Sequence, residues 1–157
     1  MKSMNRCAWL LPLVFAASPA LANSGHEPEC EDVRARIIDA QVTDGCTSPN
    51  NFCAGGTVTG NRGLNGTTFF TLDGAVLGPA ARPGSFSTSG VLVYTTSRGT
   101  LTVRESGLSG LGEWFTAFQE VLSGTGRYEG ATGHMWVHGH NLGDHFDSGV
   151  FGVLCLR

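Results

Sequence analysis

The chain lacks most of the features that announce an activity. It has no CxxC pair, no Ser/His/Asp or Cys/His arrangement readable as a nucleophilic triad, and no glycine loop with the spacing or βαβ context of a phosphate cradle. It has no fixed-period repeat and no low-complexity tract, and the stretch from Pro79 to Gly84 reads as a loop rather than a domain linker. Past Ala17 no apolar run approaches the ~20 residues needed to cross a bilayer core of about 30 Å, so no membrane span is expected. Lysine is confined to Lys2.

What is present begins with an export signal. Lys2 and Arg6 precede an apolar run from Ala8 to Ala17, and the small residues at 20 and 22 of Ser18-Pro19-Ala20-Leu21-Ala22 fit a signal-peptidase site. The expectation is a signal peptide over 1–22, a mature domain over 23–157 and a secreted or periplasmic location. Cys7 lies upstream of the apolar run, so it is not placed for lipid attachment and leaves with the signal. The mature chain of about 135 residues is long enough for one domain that buries about two thirds of its unfolded surface. It carries eight arginines against thirteen acidic residues, a net charge of −5, which argues against nucleic acid and anionic membranes as partners.

Four cysteines remain, Cys30, Cys46, Cys53 and Cys155, an even count in an exported chain. They read as two disulfides among three pairings. Cys46 and Cys53 flank the turn-rich Thr47-Ser48-Pro49-Asn50-Asn51-Phe52, while Cys30 and Cys155 lie at the two ends of the domain, so Cys30–Cys155 and Cys46–Cys53 is the preferred pairing. Zinc is the rival reading of four cysteines, and their spacing does not support it.

Short segments in which apolar residues alternate with Thr, Ser and Arg recur between Gly, Asn, Asp and Pro, the pattern of an antiparallel β fold. About eight segments are expected. In the first, from Val33 to Thr43, the apolar phase switches from Val33, Ala35 and Ile37 to Ile38, Ala40 and Val42, which predicts a bulge near Ile37. Gly56 to Gly60 and Gly66 to Leu72 follow. The clearest hairpin joins Val91–Thr96 to Thr100–Glu105 through Ser97-Arg98-Gly99, with Leu101 and Val103 facing one way and Thr100, Thr102 and Arg104 the other. Residues 113–122 are ambiguous, because Trp114, Phe115, Phe118, Val121 and Leu122 make a helical stripe between glycines; a strand is preferred. His134–His140 and Ser148–Leu156 complete the set. The expected fold class is all-β: a single small antiparallel eight-stranded barrel, with a two-sheet β-sandwich as the alternative, since closure removes edges that invite aggregation.

Gly124-Thr125-Gly126-Arg127-Tyr128-Glu129-Gly130-Ala131-Thr132-Gly133 is the densest local signal, a tight turn between two strands. This GTGRYEGATG segment resembles the GTG-aromatic-x-GAxG turn of allene oxide cyclase-like barrels, relatives of the dirigent proteins. The resemblance implies an eight-stranded, often trimeric barrel in a family of cofactor-free cyclases and of proteins that steer coupling reactions. No catalytic residue of that family matches a position here, and the turn itself reads as a barrel corner.

His134, His138 and His140 share one strand phase with Trp136 between them, and the i, i+2 spacing of His138 and His140 can present two imidazoles to one metal, with His134, Asp144 or His145 completing a zinc set. The simpler arrangement puts Met135 and Val137 in the core and turns the histidines to solvent. Glu105 follows Leu101 and Val103 in phase, which would place it inside near a barrel mouth, where burial raises a carboxyl for acid–base work; a solvated rim carboxylate is the plainer reading. Trp114, Phe118, Phe69, Phe70 and Tyr94 could line an apolar pocket or simply form core. Segments 66–72 and 150–156 are apolar in both phases, and a homo-oligomer would cover their outer face. Asn65-Gly66-Thr67 is a glycosylation sequon with meaning only in a eukaryotic secretory pathway. Three functions are thus in play: a binding or interaction module for a small apolar ligand, which is preferred; a cofactor-free cyclase or isomerase; and a metal-binding protein. No cofactor is expected.

Overall fold

A computed structural model of the protein describes residues 29–78, 83–110 and 112–157. The predicted signal peptide and most of the 79–84 loop lie outside the described residues. Eight antiparallel strands follow one another in sequence order: β1 Glu29–Val42, β2 Cys53–Gly60, β3 Asn65–Leu77, β4 Phe86–Thr96, β5 Gly99–Ser109, β6 Trp114–Gly124, β7 Thr132–Asn141 and β8 Phe146–Leu156. Each pairs with the next, and β8 pairs back onto β1 from Glu29↔Leu156 to Asp39↔Phe146, so the sheet closes into a barrel and the sandwich alternative falls. Both expected disulfides are present, Cys30–Cys155 and Cys46–Cys53. Cys30 and Cys155 are register partners, so this bridge staples the strand pair that closes the barrel.

Side chains alternate between the interior and the outer surface as the pleat requires. The interior is solid at one end only. Val33, Val58, Leu64, Leu101, Tyr128, Met135 and Leu154 are fully buried there. Tyr128 comes from the Gly124–Gly133 segment, which folds around a short 3-10 turn, Gly126–Tyr128, and plugs that end of the barrel. The glycine-rich corner is therefore also a stopper.

One local expectation is corrected. No bulge occurs at Ile37, because β1 keeps unbroken register with both neighbours; Ile38 simply lies on the outer face, 40% exposed. The register shifts fall instead between Leu72 and Gly74 on β3 and between Thr102 and Val103 on β5. Residues 114–124 form a strand, and the helical stripe dissolves. Ala117 and Gln119 are buried, whereas Trp114 and Leu122 are exposed on the outside.

Candidate functional site: a half-hollow barrel

The end of the barrel opposite Tyr128 is hollow. A cavity of about 320 Å³ opens there, walled by Phe52, Phe70, Phe86, Phe115 and Phe146 with Ile37, Leu72, Leu92 and Val137, and it carries Asp39, Glu105 and Gln119. Glycines on β4 and β2 let two of the lining side chains lie across a neighbouring strand. On β4, a Cβ at Gly90 would stand 2.4 Å from the Phe70 ring, so only glycine lets that ring lie across β4, next to Glu105, the register partner of Gly90. On β2, Gly56 lets β1 approach closely: its Cβ would stand 1.9 Å from the Ile38 carbonyl oxygen and 2.5 Å from Asp39 Oδ1. Asp39 on β1 thus reaches over Gly56 to accept a hydrogen bond from Thr68 on β3 at 2.5 Å.

A second polar chain crosses the floor. The hydroxyl of fully buried Tyr94 donates to Gln119 Oε1 at 2.7 Å, and Gln119 Nε2 donates to Glu105 Oε2 at 2.7 Å. Gln119 and Glu105 are register partners on β6 and β5, so the pairing is set by the ladder itself. Burial pushes the Glu105 carboxyl above the usual carboxylate range, the Gln119 hydrogen bond opposes this, and the charge of Asp39 adds to it. Burial likewise raises Asp39, against the Thr68 hydrogen bond. Tyr94 is raised too, by burial and then by the charge of Glu105. Among the described residues, no arginine, lysine or histidine lines the cavity.

The mouth is tied down by the second disulfide. Cys46–Cys53 spans the β1–β2 loop that carries Phe52. Ser48 Oγ donates to the Leu72 carbonyl, and the Leu72 amide donates to the Phe52 carbonyl at 3.2 Å, so the loop is stitched to β3 at the cavity edge. Phe146 meets both Phe52 and Phe115 edge-to-face, with ring centroids 6.1 and 6.0 Å apart.

No protein-family model matches the chain, and neither a curated protein nor a solved structure does.

The other sequence candidates are scattered. Of the five aromatics proposed for a pocket, only Phe70 lines the cavity; Tyr94 is core, and Trp114, Phe118 and Phe69 are on the outer phase. The three β7 histidines point outward and each rests on a different ring: His134 on Phe118, His138 on Phe151 and His140 on Trp114. Asp144 and His145 pair with each other in the β7–β8 turn at 2.6 Å. Among the described residues, no three His, Cys, Asp or Glu side chains converge on a metal position. Nor is any helix there long and apolar enough to cross a membrane. Asp39 and Gln119 were missed, though the signal existed: Asp39 continues the Val33, Ala35, Ile37 phase, and Gln119 continues the Phe115, Ala117 phase.

The raised carboxyls have a consequence for stability. A carboxyl whose folded value exceeds its unfolded one stabilises the fold while protonated in both states, and that contribution is lost as pH rises from the unfolded value through the folded one. For Glu105 and Asp39 the loss begins near their ordinary values, 4.5 and 3.8, and continues upward. Asp73, Asp144 and Asp147 are lowered, chiefly by hydrogen bonds from Arg104, His145 and Arg36, so their small, solvent-screened contributions vanish only as pH falls below the usual aspartate range. Thermal unfolding followed from pH 4.5 to 8 should show Glu105→Gln gaining on the wild type as pH rises, because glutamine keeps the Gln119 contact without a buried charge. A constant offset between the two would contradict it.

Proposed function

We propose that the protein is an exported barrel that takes up one small, mostly apolar molecule through its open end. The carrying observation is the hollow half: about 320 Å³, within the usual size of small-molecule sites, walled by phenylalanine and aliphatic side chains and supplied with a few polar groups. Exposed Val76, Leu77 and Phe86 on the β3–β4 hairpin add an apolar approach beside that end. Two disulfides suit a secreted or periplasmic setting. A homo-oligomer, covering outer-face Trp114, Trp136 and Phe151, belongs to the same reading.

A neutral apolar fluorophore, N-phenyl-1-naphthylamine, tests the proposal. The expected result is fluorescence enhancement that saturates at one probe per chain; no enhancement at micromolar protein would count against a binding cavity.

One observation favours a second reading, a cofactor-free cyclase or isomerase of the allene oxide cyclase-like type. Glu105 lies in an apolar cavity, raised above the usual carboxylate range by burial and positioned by the Tyr94–Gln119 chain, as suits a group that gives and takes a proton. On that reading Glu105→Gln abolishes turnover and leaves binding intact.

A further inference from the structure

We propose that the molecule this cavity is built for is a protonated amine with an apolar body, its ammonium held between the Glu105 and Asp39 carboxylates and the Phe70 ring. The inference rests on the cavity being the binding site and adds the charge class of its ligand. Three observations support it. First, each carboxylate is only half used: Glu105 accepts at Oε2 and Asp39 at Oδ1, and neither second oxygen takes a hydrogen bond among the described residues. Yet no buried side-chain oxygen there lacks a partner, so the spare acceptors are accessible. Second, the lining supplies two acids and no base among the described residues, so the negative charge is uncompensated by the protein. An anionic ligand would meet no cationic partner in the lining, whereas an ammonium favours the ionised form of both carboxyls and supplies N–H donors. Third, the rest of the wall suits a cation with a greasy tail. Phe70 lies over Gly90, the register partner of Glu105, and Phe52, Phe115 and Phe146 enclose the outer part.

Three isosteric probes decide the question by calorimetry on the oxidised protein at pH 7: 4-phenylbutylammonium, 4-phenylbutanol and 4-phenylbutanoate. The ammonium should bind about tenfold or more tighter than the alcohol, with the carboxylate weakest, and the preference over the alcohol should collapse in Glu105→Gln and Asp39→Asn. If the alcohol or the carboxylate binds as tightly as the ammonium, the amine assignment is wrong while the binding cavity stands. If none of the three binds, both are wrong. An ammonium preference that survives in the Glu105→Gln, Asp39→Asn double variant would place the cation elsewhere on this acidic protein and also overturn the assignment.

Discussion

Replacing Cys30 and Cys155 together by serine is expected to cost about 5 kcal/mol of stability in the chain-entropy account, measured by urea denaturation against the wild type. The size follows from the sequence separation of 125 residues, which encloses nearly the whole domain. The bridge joins register partners on the strands that close the barrel, so its loss also frees the β1–β8 seam. Small single domains hold only 5–15 kcal/mol in total, so the variant should be largely unfolded or close to it at 37 °C. Cys46–Cys53 closes a far smaller loop, with a sequence separation of 7, and its removal should cost about 2.5 kcal/mol. A smaller loss for the long bridge than for the short one would mean that the β1–β8 pairing closes the barrel without help.

Thr88→Trp should weaken N-phenyl-1-naphthylamine binding about a hundredfold with little change in melting temperature. Thr88 is part of the cavity wall on β4, beside its register partner Gly107, so its side chain is on the inward face. An indole there occupies space that the ligand would use, and excluding on the order of 100 Å² of apolar contact removes about 2.5–3 kcal/mol of binding. Because the indole fills the cavity rather than displacing core atoms, the Tyr128 end should keep its packing. Binding unchanged in this variant would place the ligand outside the barrel.

The architecture was legible because its signals are short-range and redundant. Period-two alternation around Leu101 and Val103, turn residues at regular intervals and the paired cysteines each point to the same antiparallel barrel, and the structure has all three. Orientation was harder where both phases are apolar. In β1 the adjacent Ile37 and Ile38 invite a bulge, and that reading hid Asp39, whose inward direction follows once the strand is taken as regular. In β6 the aromatic spacing of Trp114 and Phe118 mimics a helix face, and the inward Gln119 is lost behind it. The inward Glu105 is only the alternative reading, on the clean apolar phase of its strand; the plainer reading, a solvated rim carboxylate, is overturned because the carboxyl is buried against Gln119. The cavity itself leaves almost no local trace. Its walls come from residues far apart in sequence, with Phe70 lying over Gly90 and Asp39 over Gly56, and that juxtaposition exists only once register is set.

Everything proposed for this protein depends on the barrel being hollow at one end and occupied by a ligand there. Methyl and amide NMR spectra recorded with and without N-phenyl-1-naphthylamine test that most directly. The account predicts shifts confined to the open half, at Leu72, Leu92, Ala117 and Val137, with Leu101, Met135 and Leu154 at the packed end unmoved. Shifts centred instead on the outer face around Trp114, Trp136 and Phe151 would contradict it.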